Sequence, residues 1–421
     1  MSIVGLITEY NPFHNGHKYH IEQARKLTGA DTVIVIMSGN FVQRGTPAIL
    51  DKFTRANMAL QCGADLVIEL PAYYATASAE YFALGAISIL EKLQIVDSLV
   101  FGSECGNLEV LQEIARILTT EPDDYQSMLR TFLREGNTFP AARARALTNY
   151  ITMNQTLSDS RFTNEELTGI LNSPNNILGI EYLKALMKLN SKITPMTIQR
   201  IHADYHSTSL DHRISSATSI RHALDCNPVD LDALSTCMPT EAFEILKNSI
   251  HHSCPIRPEQ INLLLRSSLL KLDVKTLSTY QDISTDLAIR ILNVATQPCS
   301  YEQLVQSIKC KQYTQTRIQR ALCHILLGIT KEDVIDSLNN GITPYARILG
   351  FRKSKISCLR FTRNLDSLSL ITKLSNASPH LLESKMMQTD LYASRLYHHM
   401  TYDAYQTVLK DEFVQSPVML P

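Results

Sequence analysis

Apolar and polar positions alternate along the first hundred residues with two different periods. Ile3–Thr8 and Leu66–Leu70 are short apolar runs, and Thr32–Met37 (TVIVIM) is β-branched throughout, the signature of a strand buried on both faces. Ser98–Gly102 (SLVFG) is a fourth such run. Between them Lys18–Leu27 places Ile21, Ala24 and Leu27 on one helical face, and Phe53–Cys62 and Ala77–Leu93 follow the same period. Strands alternating with helices predict a parallel α/β sheet with right-handed crossovers. Residues 108–170 read as helix with a polar break near Glu121–Asp124, and the α/β pattern then returns. Ile177–Leu189 is helical, Met196–His202 strand-like and Ala217–Leu224 a short helix. From about residue 226 the pattern is predominantly helical, with turns at Cys254-Pro255, Pro298 and Gly341–Pro344. The main boundary falls at 226–240, dividing the chain into an α/β part (1–230) and a mainly α-helical part (231–421). No repeat or low-complexity linker interrupts it.

Composition adds few constraints. With 421 residues, 44 % hydrophobic and 19 % charged, the chain can bury real cores and suits two or three domains. A net charge of −1 excludes a uniformly basic nucleic-acid coat. The charge is nevertheless uneven: residues 1–225 carry −4, residues 226–421 carry +3, and the window Lys309–Arg363 alone carries +8. That window predicts a nucleic-acid backbone track, with Arg317, Arg320, Arg352, Lys353 and Lys355 as its contacts; a solvated helical face is the alternative. Nine cysteines without a C-x-x-C pair, no basic-then-apolar leader and no apolar run of about 20 residues predict a cytoplasmic protein with reduced thiols and no membrane contact. No metal site is expected from His251, His252 and Cys254, which lack a second ligand pair.

The candidate chemistry follows the first strand. The chain lacks both G-x-x-x-x-G-K-[ST] and G-x-G-x-x-G, but Glu9-Tyr-Asn-Pro-Phe-His-Asn-Gly-His17 contains H-x-G-H. A strand end, a stiffening Pro12, a side-chain-free Gly16 and a helix starting near His17 would direct free N–H groups and a positive dipole end at a phosphate. His14 and His17 would add imidazole donors, and Lys18 and His20 lie alongside; two loop histidines without a role are the alternative. A second element, Ile214-Ser-Ser-Ala-Thr-Ser-Ile-Arg221, opens another helix. Ser216, Thr218 and Arg221 could reach the same phosphates, or form an ordinary N-cap.

At these residues the chain resembles the nucleotidylyltransferase superfamily that shares the HIGH motif with class I aminoacyl-tRNA synthetases. Five further segments narrow the likeness: Ser38-Gly-Asn-Phe-Val-Gln-Arg-Gly45, Asp65-Leu-Val-Ile-Glu-Leu-Pro71, Ser173-Pro-Asn-Asn-Ile-Leu-Gly-Ile-Glu-Tyr182, Tyr313-Thr-Gln-Thr-Arg-Ile-Gln-Arg320 and Leu326-Leu-Gly-Ile329. Taken in order with the first two, they resemble the bacterial tRNA(Met) cytidine acetate ligases over nearly the whole chain.

The resemblance implies a Rossmann-like catalytic domain and formation of N4-acetylcytidine at the wobble position of elongator tRNA(Met). Acetate and ATP would be used with Mg²⁺, and AMP and pyrophosphate released. It implies that His14, His17, Lys18, Thr218 and Arg221 stabilise the phosphates. Nucleotide contacts would fall on Ile7, Thr8, Glu9, Tyr10, Asn11, Pro12, Phe13, His14, Asn15, Gly16, His17, Lys18, Tyr19 and His20. Gly102, Asn175, Arg200, Ile201 and Ser216 would complete them. Gln43 and Arg44 would approach acetate or cytidine. Asp51, Glu69 and Glu104 are candidate bases for the N4 proton, and nothing in the sequence selects one. Tyr73, Tyr74 and Tyr81 could stack on a base, with core packing the alternative for Tyr81. A nucleotidylyltransferase acting on a small phosphorylated metabolite would share the clamp but has no use for the basic helical half. No DNA partner is implied, and the oligomeric state stays open.

Overall fold

The computed structural model describes residues 2–154, 164–200, 216–226, 228–362 and 367–421. Five parallel strands form the centre of the sheet: β1 (Ile3–Thr8), β2 (Thr32–Ser38), β5 (Leu66–Leu70), β6 (Ser98–Ser103) and β7 (Thr194–Gln199). Their spatial order is β5-β2-β1-β6-β7, so the direction of winding reverses between β1 and β6. Open α/β sheets bind ligands at the carboxyl ends of the strands flanking such a reversal. β3 (Phe41–Val42) and β4 (Thr46–Pro47) form a small hairpin just beyond the carboxyl end of β2.

The alternation along β2 explains the two-sided core. Ile34 and Ile36 face a layer that includes helices Ala79–Leu93, Leu108–Thr120 and Pro174–Lys188 and continues into the helical region. Val33, Val35 and Met37 face α1 (Asn15–Thr28), α2 (Lys52–Gln61) and the helices Ala217–Ala223 and Thr240–Ser249. β7 ends at Gln199, short of the expected His202, which lies outside the described residues with Ile201 and Arg363. The expected helix Ala77–Leu93 is found as Ala79–Leu93, with Ser78 at its N-cap position, and a separate single turn of helix, Ala72–Ala75, precedes it. Among the described residues no helix is long and apolar enough to cross a membrane.

From Leu231 to Asn339 the described chain is helical, as its periodicity predicts. It then departs from the helical expectation. β8 (Tyr345–Arg352) pairs antiparallel with β5 and carries β9 (Ser369–Ile371) and β10 (Val418–Leu420) on its far side. β9 and β10 are three residues each, and β8 is masked by charge: Arg347, in its middle, is 4 % exposed. Its guanidinium pairs with Glu412 and lies 3.8 Å from Glu69 Oε2. Lys52 at the start of α2 completes the cluster, with Nζ 2.7 and 2.9 Å from the Glu69 oxygens and 3.0 Å from Glu412 Oε1. Beside it, Asp390 of helix Lys385–Tyr405 accepts from Ala72 N (2.7 Å) and from the Tyr345 hydroxyl. Burial and the Glu69 carboxylate push the Asp390 carboxyl up to about 7. A buried charge cluster therefore ties the C-terminal segment to the sheet.

Candidate nucleotide site

The loop after β1 is fixed from below. Tyr10 adopts φ +47° and, with Phe13, is fully buried. Their rings lie 4.8 and 5.5 Å from that of His17. The side chains of Tyr10, Pro12 and Phe13 are thus buried and pack behind the imidazoles. The Asn11 side chain accepts from Ile49 N (2.9 Å), and the Glu9 carboxylate accepts from Gln43 N (2.8 Å).

α1 begins at Asn15, two residues earlier than expected, because His14 is its N-cap. Gly16 N donates to His14 Nδ1 (3.1 Å), and His14 N donates to His17 Nδ1 (3.3 Å), leaving the two rings stacked at 3.7 Å. An Nδ1 that accepts a backbone N–H carries no proton, so each neutral ring bears its hydrogen on Nε2. Burial, then Arg200 and Arg221, hold His14 down at about 3. Burial, then His14 and Arg200, keep His17 well below the usual imidazole range. Both are neutral donors at physiological pH, with Nε2–H groups oriented by the helix cap.

His20 is different. Its Nε2–H donates to Val100 O of β6 (3.2 Å), and burial lowers it to about 4. It joins α1 to the sheet instead of turning that nitrogen to a phosphate. Asn15 Nδ2 donates to Thr236 O, while Lys18 and Tyr19 are half-buried in the first turns of α1. Ile7 and the buried Thr8 close the strand.

The second sequence element arrives at the same place. Ser216 caps the helix Ala217–Ala223 through Ser219 N (3.1 Å). Arg221 Nη1 donates to Asn11 O (2.7 Å) and Nη2 to Thr218 Oγ1 (3.0 Å). A guanidinium thus joins the two motifs, 210 residues apart. On the other side of the winding reversal, Asn175 Nδ2 donates to Glu104 Oε1 (2.7 Å) and Asn175 Oδ1 accepts from Arg200 Nη1 (3.4 Å). Gly102 of β6 lies against the Arg200 side chain, where a Cβ would sit 3.2 Å from Arg200 Cγ. Gly102, Asn175 and Arg200 therefore form one group, whose cation also lowers His14, His17 and His20.

The three candidate bases are already engaged. Asp51 caps α2 through Phe53 N (2.9 Å) and Thr54 N (3.0 Å). Glu69 is held by Lys52. Glu104 accepts from Asn175 N, Asn175 Nδ2 and Asn176 N. Tyr73 and Tyr74 are buried, and the Tyr74 hydroxyl is 2.6 Å from Ser337 Oγ, so neither is free to stack on a base. Two cations of the basic window are also committed: Arg320 Nε to Asp282 Oδ2 (2.8 Å), and Arg352 Nη2 to Leu60 O (2.6 Å). Arg317 lies over the Tyr313 ring at 5.1 Å, Lys353 is exposed and Lys355 half-buried. Among the described residues no cluster of His, Cys, Asp or Glu could hold a metal ion.

Two residues have structural roles to which the sequence reading assigned nothing. Arg55, fully buried in α2, donates to Glu9 O (2.6 Å), Ser38 O (3.1 Å) and Gly39 O, and so locks the loops after β1 and β2 together. Gly45 (φ +73°) sits at the β3–β4 tip, where a Cβ would fall 2.5 Å from Arg320 Cα. The tip therefore rests on the backbone of helix Gln315–Leu327.

Neutral imidazole donors, an arginine joining the two motifs and a site at the winding reversal are the marks of a HIGH-motif nucleotidyl transferase. The model of the HIGH Nucleotidyl Transferase family matches residues 1–412. The tRNA(Met) cytidine acetate ligase of Acetivibrio thermocellus is 43 % identical over 403 residues, covering 93 % of this chain and 94 % of that one. The ligase of the same name from Clostridium novyi is 37 % identical over 420 residues, covering all of both chains. Crystal structures of Thermotoga maritima TmcAL, apo and bound with alpha-thio ATP, superpose with TM-scores of 0.91 and 0.90 at 34 % identity over the full length of both chains. The chain belongs to the tRNA(Met) cytidine acetate ligase family.

Proposed function

We propose that this chain activates acetate with ATP and acetylates N4 of the wobble cytidine of elongator tRNA(Met). The observation that carries the reading is the Arg221 bridge, which brings S-x-T-x-x-R onto the H-x-G-H loop at the carboxyl end of β1. Acetate is a poor acyl donor and the cytosine amine a poor nucleophile, so activation comes first. An acetate oxygen attacks the α-phosphorus, giving acetyl-adenylate and pyrophosphate. Nε2–H of His14 and His17, with Thr218, Arg221 and Lys18, stabilises the charge that develops on the phosphates. The cytidine N4 then attacks the acetyl carbonyl, AMP leaves with the electron pair, and one N4 proton is lost. Acyl transfer from a mixed anhydride needs no Cys or Ser nucleophile. Gly102, Asn175 and Arg200 line the adenosine side.

Mg²⁺ would travel with the nucleotide. The converging side chains His14, His17, Thr218 and Arg221 offer N–H and O–H donors, not carboxylate ligands, so the ion would be held by phosphate oxygens and water.

In this reading residues 1–230 carry the nucleotide chemistry, while residues 231–421 both complete the sheet through β8, β9 and β10 and serve the RNA, with Arg317, Lys353 and Lys355 the cations best placed for its backbone. All nine cysteines are unpaired, which supports a cytoplasmic setting. Acetate-dependent ATP–pyrophosphate exchange, followed by nucleoside mass spectrometry of elongator tRNA(Met), tests the proposal. Both signals are expected in the wild type, with a loss of about 10²–10³ in His17→Asn. Exchange that needs no acetate, or tRNA left unmodified, would overturn it.

A further inference from the structure

Apart from the nucleotide loop, a cleft of about 380 Å³ opens between helices Ala79–Leu93, Gln315–Leu327 and Lys331–Asn339. Its size suits a single small ligand. Tyr81, Asp282, Ser284, Arg317, Lys331 and Ile335 define its chemistry. We propose that it holds one nucleotide of the RNA substrate, with a phosphate on Arg317 and Lys331 and a base against Tyr81 and Ile335; the proposal rests on the tRNA-acetylation reading.

The cations come first. Arg317 makes no side-chain hydrogen bond among the described residues and is poised over the Tyr313 ring. Lys331 Nζ donates to Ser278 O and Ile283 O (both 2.7 Å), which fixes its position without neutralising it. The one acid in the lining, Asp282, hydrogen-bonds Arg320 (2.8 Å) and also feels the Arg317 charge, so one carboxylate is shared between Arg320 and Arg317 and the lining with Lys331 keeps a net positive charge. The Ser284 and Tyr313 hydroxyls hold each other at 2.9 Å.

The apolar side is equally specific. Tyr81 is half-buried, and Ile335, 54 % exposed, is a branched apolar side chain presented to solvent at the mouth of the cleft. Aromatic and apolar surface beside fixed cations is the combination that binds single-stranded RNA, where unstacked bases are available.

Position favours RNA over a free mononucleotide. Asp282 binds Arg320, the Gly45 tip rests on the Arg320 backbone, and Gln43 of the same tip binds Glu9 of the nucleotide loop. Three consecutive contacts thus connect the cleft to the loop where the acetyl group is transferred. An anticodon loop with its wobble cytidine at that loop could place a neighbouring nucleotide in the cleft.

Two substitutions at solvent-accessible positions test this in the full-length protein. The probe is a fluorescein-labelled anticodon stem-loop of elongator tRNA(Met), followed by anisotropy from 50 to 200 mM salt. Ile335→Glu puts a negative charge at the mouth and is expected to raise Kd about tenfold, with acetate-dependent exchange in the absence of RNA at the wild-type level. Arg317→Ala is expected to reduce the slope of log Kd against log salt by about 0.7, one phosphate contact. CMP is expected not to compete with the stem-loop. Unchanged Kd and slope in the two variants would overturn the proposal. So would exchange falling together with RNA binding, which would mean that the cleft supports the fold. CMP binding lost in Ile335→Glu with the stem-loop unaffected would assign the cleft to a free mononucleotide instead. Failure of the ligase reading itself would appear separately, as a wild type with no exchange and no acetylated cytidine.

Discussion

Replacing Lys52 by Met keeps the length of the side chain and removes only its charge. Lys52 is fully buried and its ammonium meets three carboxylate oxygens, two on Glu69 and one on Glu412, at 2.7 to 3.0 Å. In Lys52→Met the two carboxylates, each about one-twentieth exposed or less, face one another with Arg347 as their shared cation. Breaking a buried pair in this way costs about 3–5 kcal/mol, because the abandoned charge stays out of water. Total stability is about 5–15 kcal/mol, so the variant should unfold at visibly lower urea, with an unchanged m-value. Adding Glu412→Gln removes one unit of the uncompensated charge. The double variant should therefore lose less than the sum of the singles, with a coupling of at least about 1 kcal/mol. A loss below about 1 kcal/mol in Lys52→Met, or strict additivity in the double variant, would refute the argument that these charges depend on each other.

Other outcomes follow from the site. His14 is held near 3 when folded against 6.5 when free, so the unfolded chain takes up the proton first: stability is complete above pH 6.5 and declines as the pH falls towards 3. At pH 5 the decline attributable to His14 is about 2 kcal/mol, and urea titrations at pH 7.5 and 5.0 should show it in the wild type and lack it in His14→Asn. Gly45→Ala and Gly328→Ala share nearly the same positive φ, but only the former meets a backbone. Gly328→Ala should cost about 1–2 kcal/mol, and Gly45→Ala a further 1–3 or so together with a loss of tRNA acetylation, measured by melting and by nucleoside mass spectrometry. Arg221→Lys keeps the charge but cannot reach Asn11 O and Thr218 Oγ1 together; acetate-dependent exchange should fall about 10²-fold, with melting little changed.

The parallel core of the sheet was legible because β-branched runs such as TVIVIM have few other solutions. The nucleotide loop was legible because H-x-G-H follows the first of those strands. The outer strands were not: Arg347 breaks the apolar run of β8, and the two acids that neutralise it lie 278 residues before it in β5 and 65 residues after it in the C-terminal segment. The basic window was legible as a count of charges but not as a surface. Asp282 and Asp65 engage Arg320 and Arg352, and no local pattern reveals those partners. The same limit applies to the candidate bases, whose partners are backbone N–H groups and a lysine set by tertiary structure. Arg55 reads as one more residue of an amphipathic helix, yet the carbonyls it collects belong to two separate loops.

The placement of β8 beside β5 has a consequence for how the protein can be made. A ribosome that has already delivered every residue of the nucleotide loop and of the Arg221 element has not yet delivered Tyr345–Arg352. Through that interval β5 presents an unpaired apolar edge, and Lys52 and Glu69 lack Arg347 and Glu412. Such an edge is a template for pairing with another nascent chain. A fragment stopping at residue 230 would keep that edge and the uncompensated charges, and is expected to be less stable and more prone to associate than the full chain. The step that closes this edge is the arrival of Tyr345–Arg352, so the sheet is completed late in synthesis.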